Sequence, residues 1–127
     1  MEIGTTVYIS GAMRGRYCMN FENFFYWARV LRRSGYKVIN PAEMDCLKMM
    51  DGWVFSDDKW REVLDADLEI IRERADWMFV LSDSEESEGS IEEIAEMNKK
   101  IPNRVFYEDK PIINNPYTHE CEDGIWE

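Results

Sequence analysis

The sequence predicts an α/β fold in which a parallel sheet of four strands is covered by helices on both faces. Short apolar runs alternate along the chain with longer segments whose apolar residues recur at helical spacing. A chain of 127 residues has room for one domain with a core of ordinary size. Right-handed crossovers then favour a flavodoxin-like (Rossmann-like) three-layer sandwich with strand order 2-1-3-4.

Each element follows from a local pattern. Four strands are predicted, at residues 6–10, 37–40, 75–82 and 104–107. Three helices are predicted between them: one from the cap Asn20 to Gly35, one over about 58–74, and one over 90–100. Residues 42–57 are expected to be irregular. The domain is expected to span residues 1–107, and the polar residues 108–127 to form its irregular C-terminal arm.

The third predicted helix places a carboxylate close to its own start. The pattern Ser90-x-x-Glu93 is typical of a capping box, and Ile91, Ile94 and Ala95 share one face. Glu93 would then lie in the first turn, where the positive end of the helix favours the ionised carboxylate. This pattern has two interpretations. Glu93 is either a nucleophile at the mouth of the sheet or a helix cap without a further role.

Two loops rich in small residues are expected to form a pocket. They are residues 11–19 after the first strand and 82–89 after the third, and they meet where the sheet reverses its winding direction. Arg14 and the free amides at a helix start could hold an anion there, although neighbouring glutamates repel a phosphate. The residues predicted to contact substrate are Ser10, Gly11, Met13, Arg14, Gly15, Asn40, Ser87, Gly89 and Ser90.

The second predicted helix carries a carboxylate on its apolar stripe. Asp67 stands between Leu64 and Ile71 at helical spacing. Because an unpaired buried carboxylate is costly, Asp67 should either lie at the edge of the stripe or have a functional role.

Composition excludes several classes of protein. The net charge of −11 opposes binding to nucleic acid, which requires clustered basic residues. The three cysteines form no metal or disulfide pattern, and a single histidine supports no metal site, so we expect free thiols, no metal and no cofactor. The sequence shows no signal peptide and no apolar window of membrane-spanning length. A cytoplasmic protein without a membrane partner is therefore expected.

Four motifs resemble those of the nucleoside 2-deoxyribosyltransferase superfamily. They are Tyr8-Ile-Ser-Gly-Ala-Met-Arg-Gly15, Gly35-Tyr-x-Val-Ile-Asn-Pro-Ala-Glu43, Asp67 ahead of the third strand, and Ser87-x-Gly-Ser-x-x-Glu93, in order over about residues 6 to 107. The likeness is to its small phage and bacterial branch, related to deoxynucleoside monophosphate N-glycosidases. It implies that Glu93 attacks C1′ of the sugar, that Asp67 contacts the departing base, and that Tyr8 lies beside Glu93.

Three hypotheses remain open. The chain is an enzyme that cleaves or exchanges the N-glycosidic bond of a (deoxy)nucleoside or its 5′-monophosphate, or a module that only binds such a ligand, or an adaptor with a vestigial pocket. The small-molecule partner is a nucleoside or nucleotide in the first two cases. Helix one is apolar over more than one face and relatives are commonly homo-oligomers, so a homo-oligomer is expected.

Overall fold

A four-stranded parallel sheet forms the centre of the molecule. The structure is a computed structural model that describes residues 2–14, 16–54, 56–82, 84 and 87–108. The strands are β1 (Thr6–Ser10), β2 (Lys37–Ile39), β3 (Trp77–Val80) and β4 (Val105–Tyr107). All pairs are parallel and the order is β2-β1-β3-β4, which confirms the predicted topology.

Helices cover both faces of this sheet, so the sandwich has three layers. The helices are α1 (Phe21–Arg33), α2 (Pro41–Met50), α3 (Trp60–Arg74) and α4 (Glu88–Lys100). On one face α1 packs through Phe24, Ala28 and Leu31 against Val7 and Ile9. On the other face α3 and α4 pack through Leu64, Leu68, Ile71 and Met97 against Tyr8, Met78 and Val80. Alternate residues of β1 therefore enter opposite cores, as the twofold period of a strand requires.

The expectation that residues 42–57 are irregular is wrong, because most of this segment is helical. Pro41 is the first residue of α2, where its missing N–H costs nothing, and the Asn40 side chain caps the helix by accepting from the Ala42 amide at 3.0 Å. The Asn-Pro pair is thus a helix start. The segment mixes acidic residues with methionines such as Met44 and Met49, and this composition obscures the helical spacing of its buried residues. Ala42 and Asp45 are two of those buried residues.

The expected capping role of Asn20 is also wrong. Asn20 precedes α1, but its backbone is left-handed (φ 62°) and its side chain makes no cap. Its Nδ2 instead donates to the carbonyl of Ala12 at 3.0 Å. Asn20 therefore ties the start of α1 to the loop that follows β1.

Gly11 is required by a close approach in this loop. A Cβ at Gly11 would lie 2.6 Å from Leu81 Cδ1 and 2.9 Å from Phe24 Cζ, and both side chains are buried. Neither can move without disturbing the core between β1 and α1.

We expect Gly11→Ala to lower the free energy of unfolding by about 1–3 kcal/mol, the usual cost of overpacking a core. Urea unfolding followed by circular dichroism measures this change. Gly89→Ala is the matched control, because a Cβ there meets only Leu64 Cδ1 at 4.0 Å. Equal stabilities of the two variants would contradict the steric role of Gly11.

Candidate active site

A cavity of about 260 Å³ opens at the carboxyl ends of β1 and β3. The residues around it come from the loop after β1, from α1, α2 and α3, and from the start of α4. They are Gly11, Ala12, Met13, Arg14, Phe24, Pro41, Asp45, Trp60, Val63, Leu64, Asp67, Ser87, Glu88, Gly89 and Glu93. The pocket therefore lies at the edge of the sheet where the sequence predicts it.

Glu93 is held in this cavity by two hydroxyl groups from β1. The Tyr8 hydroxyl donates to Oε2 at 2.6 Å, and the Ser10 hydroxyl donates to Oε1 at 2.8 Å. Tyr8 and Ser10 are fully buried, and Glu93 is 6% exposed. Because residues 8 and 10 of a strand share a face, one strand supplies both donors to one carboxyl group.

The start of α4 differs from the prediction and changes the position of Glu93. The cap is Ser87, whose side chain accepts from the Ser90 amide, and the helix begins at Glu88. Glu93 therefore lies in the second turn and does not fold back on Ser90. The buried face of α4 contains Ser90, Glu93 and Met97, whereas Ile91 is exposed.

The prediction that Ile91, Ile94 and Ala95 form the apolar face of this helix is thus wrong, because Ile91 and Ala95 are both exposed. The polar residues Ser90 and Glu93 take the inward positions at spacing i, i+3. Ser90 Oγ lies 3.1 Å from Ser10 Oγ and closes the polar contact between α4 and β1.

Asp67 enters the same cavity from α3. It is half-buried and follows the lining residues Trp60, Val63 and Leu64 along one side of that helix. The stripe predicted from the sequence is therefore correct, and its one carboxylate faces the pocket. Burial, and then repulsion from Asp45, raise the pKa of Asp67 to about 7.

A third carboxylate, Asp45 of α2, was missed by sequence reasoning. Asp45 is 4% exposed and lines the cavity. Burial raises its pKa, and the nearby Lys48 opposes this effect. The signal that could have revealed it was Asn40-Pro41, which marks a helix start and places Asp45 one turn after the buried Ala42.

The ionisation of Glu93 is opposite to the prediction. Burial, followed by repulsion from Asp67, raises the pKa of Glu93 to about 8, and the Tyr8 and Ser10 hydrogen bonds only partly offset this. The second-turn position also removes Glu93 from the helix start, where the dipole acts. Burial and Glu93 raise the pKa of Tyr8 well above its ordinary value, so Tyr8 stays a donor.

The two loops at the cavity are joined to each other. The fully buried Ser84 accepts from the Ala12 amide at 2.9 Å. At the cavity mouth, the Arg14 guanidinium stacks on Trp60, 4.4 Å from the ring centroid, and lies 3.5 Å from Glu88. The Arg14 side chain therefore contacts a carboxylate at the start of α4, where the sequence placed an anion site.

The predicted site residues separate into three groups. Gly11, Met13, Arg14, Asp67, Ser87, Gly89 and Glu93 line the cavity. Tyr8, Ser10, Ser90 and Asn40 are not among the lining residues: Tyr8 and Ser10 donate to Glu93, Ser90 contacts Ser10, and Asn40 caps α2. Gly15 lies outside the described residues, as does the predicted arm apart from Glu108.

Among the described residues, no group of three or more His, Cys, Asp or Glu side chains is arranged to hold a metal ion. In the same part of the chain, none of the helices has the length and apolarity needed to cross a membrane.

Fold and site define an α/β protein with an acidic pocket at the carboxyl edge of a parallel sheet. Residues 5–107, most of the chain, match the family model described as "Domain of unknown function (DUF4406)", and the chain belongs to that family. The match ends at the last residue of β4 and so covers all elements that surround the cavity. Neither a curated protein nor a solved structure matches the chain.

The raised pKa of Glu93 makes the stability of the protein depend on pH. The folded state keeps a proton on Glu93 up to about pH 8, whereas the unfolded chain releases it near the ordinary value of 4.5. The proton held on Glu93 favours the folded state, and its contribution to the free energy of unfolding is fully present below pH 4.5. That contribution is lost as the pH rises through 8. Glu93→Gln cannot titrate, so wild type should lose stability relative to this variant by up to about 1.4 kcal/mol per pH unit.

Chemical unfolding of both proteins at several pH values measures this difference. Glu69→Gln, at an exposed position of α3, is the control and should follow wild type. A wild-type minus Glu93→Gln difference that is constant between pH 4.5 and 8 would contradict the buried, proton-holding state of Glu93.

Proposed function

We propose that this protein cleaves or exchanges the N-glycosidic bond of a (deoxy)nucleoside or nucleoside 5′-monophosphate, with Glu93 as nucleophile. The observation that carries the proposal is the Glu93 carboxyl group, oriented by Tyr8 and Ser10 at the wall of a cavity that Asp67 also lines. Two carboxyl groups around one small cavity are the requirement of glycosidic chemistry, in which one meets the sugar and one meets the leaving group.

Glu93 is suited to the sugar side of this reaction. Breaking the bond develops positive charge at C1′, and a carboxylate against that carbon stabilises the charge or forms an ester with it. The two hydroxyl donors fix the carboxyl in one orientation and favour its anion. Because the donors belong to a central strand of the sheet, they are held rigidly.

Asp67 is suited to the leaving-group side. When the C1′–N bond breaks, the bonding electron pair goes to the base nitrogen, which then needs a proton or a hydrogen bond. An acid with a pKa of about 7 can carry that proton at neutral pH. Water or a second base then attacks C1′ and releases Glu93, which gives hydrolysis or exchange respectively.

The cavity is close in size to the usual ligand sites and has apolar walls that a nucleoside could contact. About 260 Å³ is just below the range of roughly 300–1,000 Å³ usual for ligand sites, so the pocket suits one small molecule. Phe24, Trp60 and Leu64 supply apolar wall against which a flat base can pack. The resemblance of the four motifs to the deoxyribosyltransferase superfamily supports the same assignment.

We also propose that the protein acts in the cytoplasm and as a homo-oligomer. Cys18 and Cys46 are free thiols, which is consistent with a reducing compartment. Tyr26 and Trp27 of α1 are incompletely buried in the single chain, which leaves apolar surface for a second copy.

A binding module without catalysis is the second candidate, and the pKa of Glu93 favours it. A carboxyl with a pKa of about 8 is mostly protonated at neutral pH and is then no nucleophile. Catalysis needs a bound substrate that draws the proton to Asp67 and leaves Glu93 ionised. Ligand binding without release of base would establish this second function.

We expect Glu93→Gln to abolish base release, by at least about 10³-fold, because an amide cannot attack C1′. The assay incubates the protein with nucleosides and their 5′-monophosphates and separates free base by chromatography. Glu92→Gln is the matched control, one residue away on α4 and paired outside the cavity with Arg61 at 2.8 Å. Equal activity of the two variants would refute Glu93 as nucleophile.

The pH dependence of kcat/KM should be bell-shaped. Activity requires one proton on the pair of Asp67 and Glu93. Their pKa values of about 7 and about 8 place the maximum of kcat/KM between these two pH values. Below this window both groups are protonated and no carboxylate remains; above it no acid remains. Asp67→Asn should lose the alkaline limb, since it has no acid to deprotonate. A flat profile between pH 6 and 9, roughly, would exclude the acid–nucleophile pair.

A further inference from the structure

Arg14 contacts residues of two helices at the mouth of the cavity. Its guanidinium stacks on the Trp60 ring of α3, 4.4 Å from the ring centroid, and its Nη2 lies 3.5 Å from the Glu88 carboxylate of α4. All three side chains line the cavity. The arginine at the mouth is therefore already next to an anion that belongs to the protein.

The position of Glu88 follows from the start of α4. Glu88 is the first residue of this helix, directly after the cap Ser87. The free backbone amides of a helix start and the helix dipole favour an anion at this place, and Glu88 supplies one. The phosphate of a ligand would compete with this carboxylate for both the helix start and Arg14.

The charges of the cavity give a phosphate no further support. Among the described lining residues Arg14 has the only basic side chain, and the acidic ones are Asp45, Asp67, Glu88 and Glu93. If the three carboxyl groups other than Glu88 are protonated, the charges of Arg14 and Glu88 cancel. If any of the three is ionised, the lining is negative. A phosphate monoester with a charge of about −1.5 to −2 thus meets no net positive charge in either state.

We propose that Glu88 determines the substrate class by opposing a 5′-phosphate, so that the site takes (deoxy)nucleosides in preference to their 5′-monophosphates. The Glu88 carboxylate lies at the helix start and beside the arginine that a phosphate would need. A nucleoside competes for neither, because its sugar carries no charge. This inference rests on the proposed function for the class of ligand, and it concerns a residue that the proposed chemistry does not use.

The test compares the common nucleosides and deoxynucleosides, each with its own 5′-monophosphate. Base release gives kcat/KM for both members of a pair, and calorimetry in the Glu93→Gln background measures their binding without turnover. The variants are Glu88→Gln, Arg14→Gln and the double variant that combines them. Glu92→Gln is the matched control, because it removes the same charge from α4 at a residue that pairs with Arg61 outside the cavity.

In wild type the nucleoside should be preferred over its monophosphate by about 10-fold or more, because a carboxylate and a phosphate a few ångströms apart repel each other. Glu88→Gln should shift this ratio toward the monophosphate by about 10-fold, since Gln keeps the shape of Glu without its charge. Most of the shift should disappear in the double variant, because it depends on Arg14. Glu88→Gln should fold, because an exposed ion pair contributes little to stability.

The outcomes separate this inference from the proposed function. A nucleoside preference that falls in Glu88→Gln, seen by calorimetry without any base release, would reject the enzyme and keep the role of Glu88. Base release without a nucleoside preference, or with a preference that survives in Glu88→Gln, would overturn the inference and keep the enzyme. An equal shift in Glu92→Gln would assign the effect to the overall charge of the protein and also overturn the inference. Absence of both binding and release would overturn the two together.

Discussion

The hydrogen bonds from Tyr8 and Ser10 to Glu93 are the interaction on which the site depends. They join the central strand β1 to α4 across a buried contact, with donor–acceptor distances of 2.6 and 2.8 Å. A carboxyl group that is 6% exposed would otherwise have no partner in the core. The same two bonds anchor α4 and orient Glu93 at the cavity wall, so one polar contact serves both the fold and the candidate site.

Regular periodicity explains why much of the site was predictable from the sequence. Asp67 interrupts an apolar helical stripe, and such an interruption is visible in the sequence as a candidate site residue. Glu93 was identified through a capping box that does not exist, since the cap is Ser87 and not Ser90. Glu93 nevertheless lines the cavity, because both start positions place it near the sheet edge. Its protonation was not predictable, since it follows from burial among acids that come from three different helices.

Asp45 was not predicted from the sequence because the residues of α2 give only a weak helical pattern. The helix α2 is ten residues long and begins directly after β2, without the loop that usually precedes a helix in the sequence. Half of its apolar residues are methionines, and Leu47 and Met50 are exposed, which weakens the helical pattern. The tertiary contact that buries Asp45 is not encoded in local spacing. A start signal read from Asn40 and Pro41 would have been sufficient to place it.

Three carboxyl groups line the cavity, and burial raises the pKa of each of them. All three carboxyl groups raise the pKa of Tyr8, and Lys48 lowers the pKa of the two aspartates. Such crowding destabilises the empty protein. An ionised carboxyl group in this cavity also stabilises any bound species that carries more positive charge than the ligand did before reaction. The apolar walls strengthen this attraction because they keep the local dielectric low. A glycosidic transition state is such a species, and a neutral nucleoside before bond cleavage is not. If the proposed reaction takes place here, an ionised carboxyl group in this cavity acts more strongly on the transition state than on the bound substrate, which is the condition for catalysis.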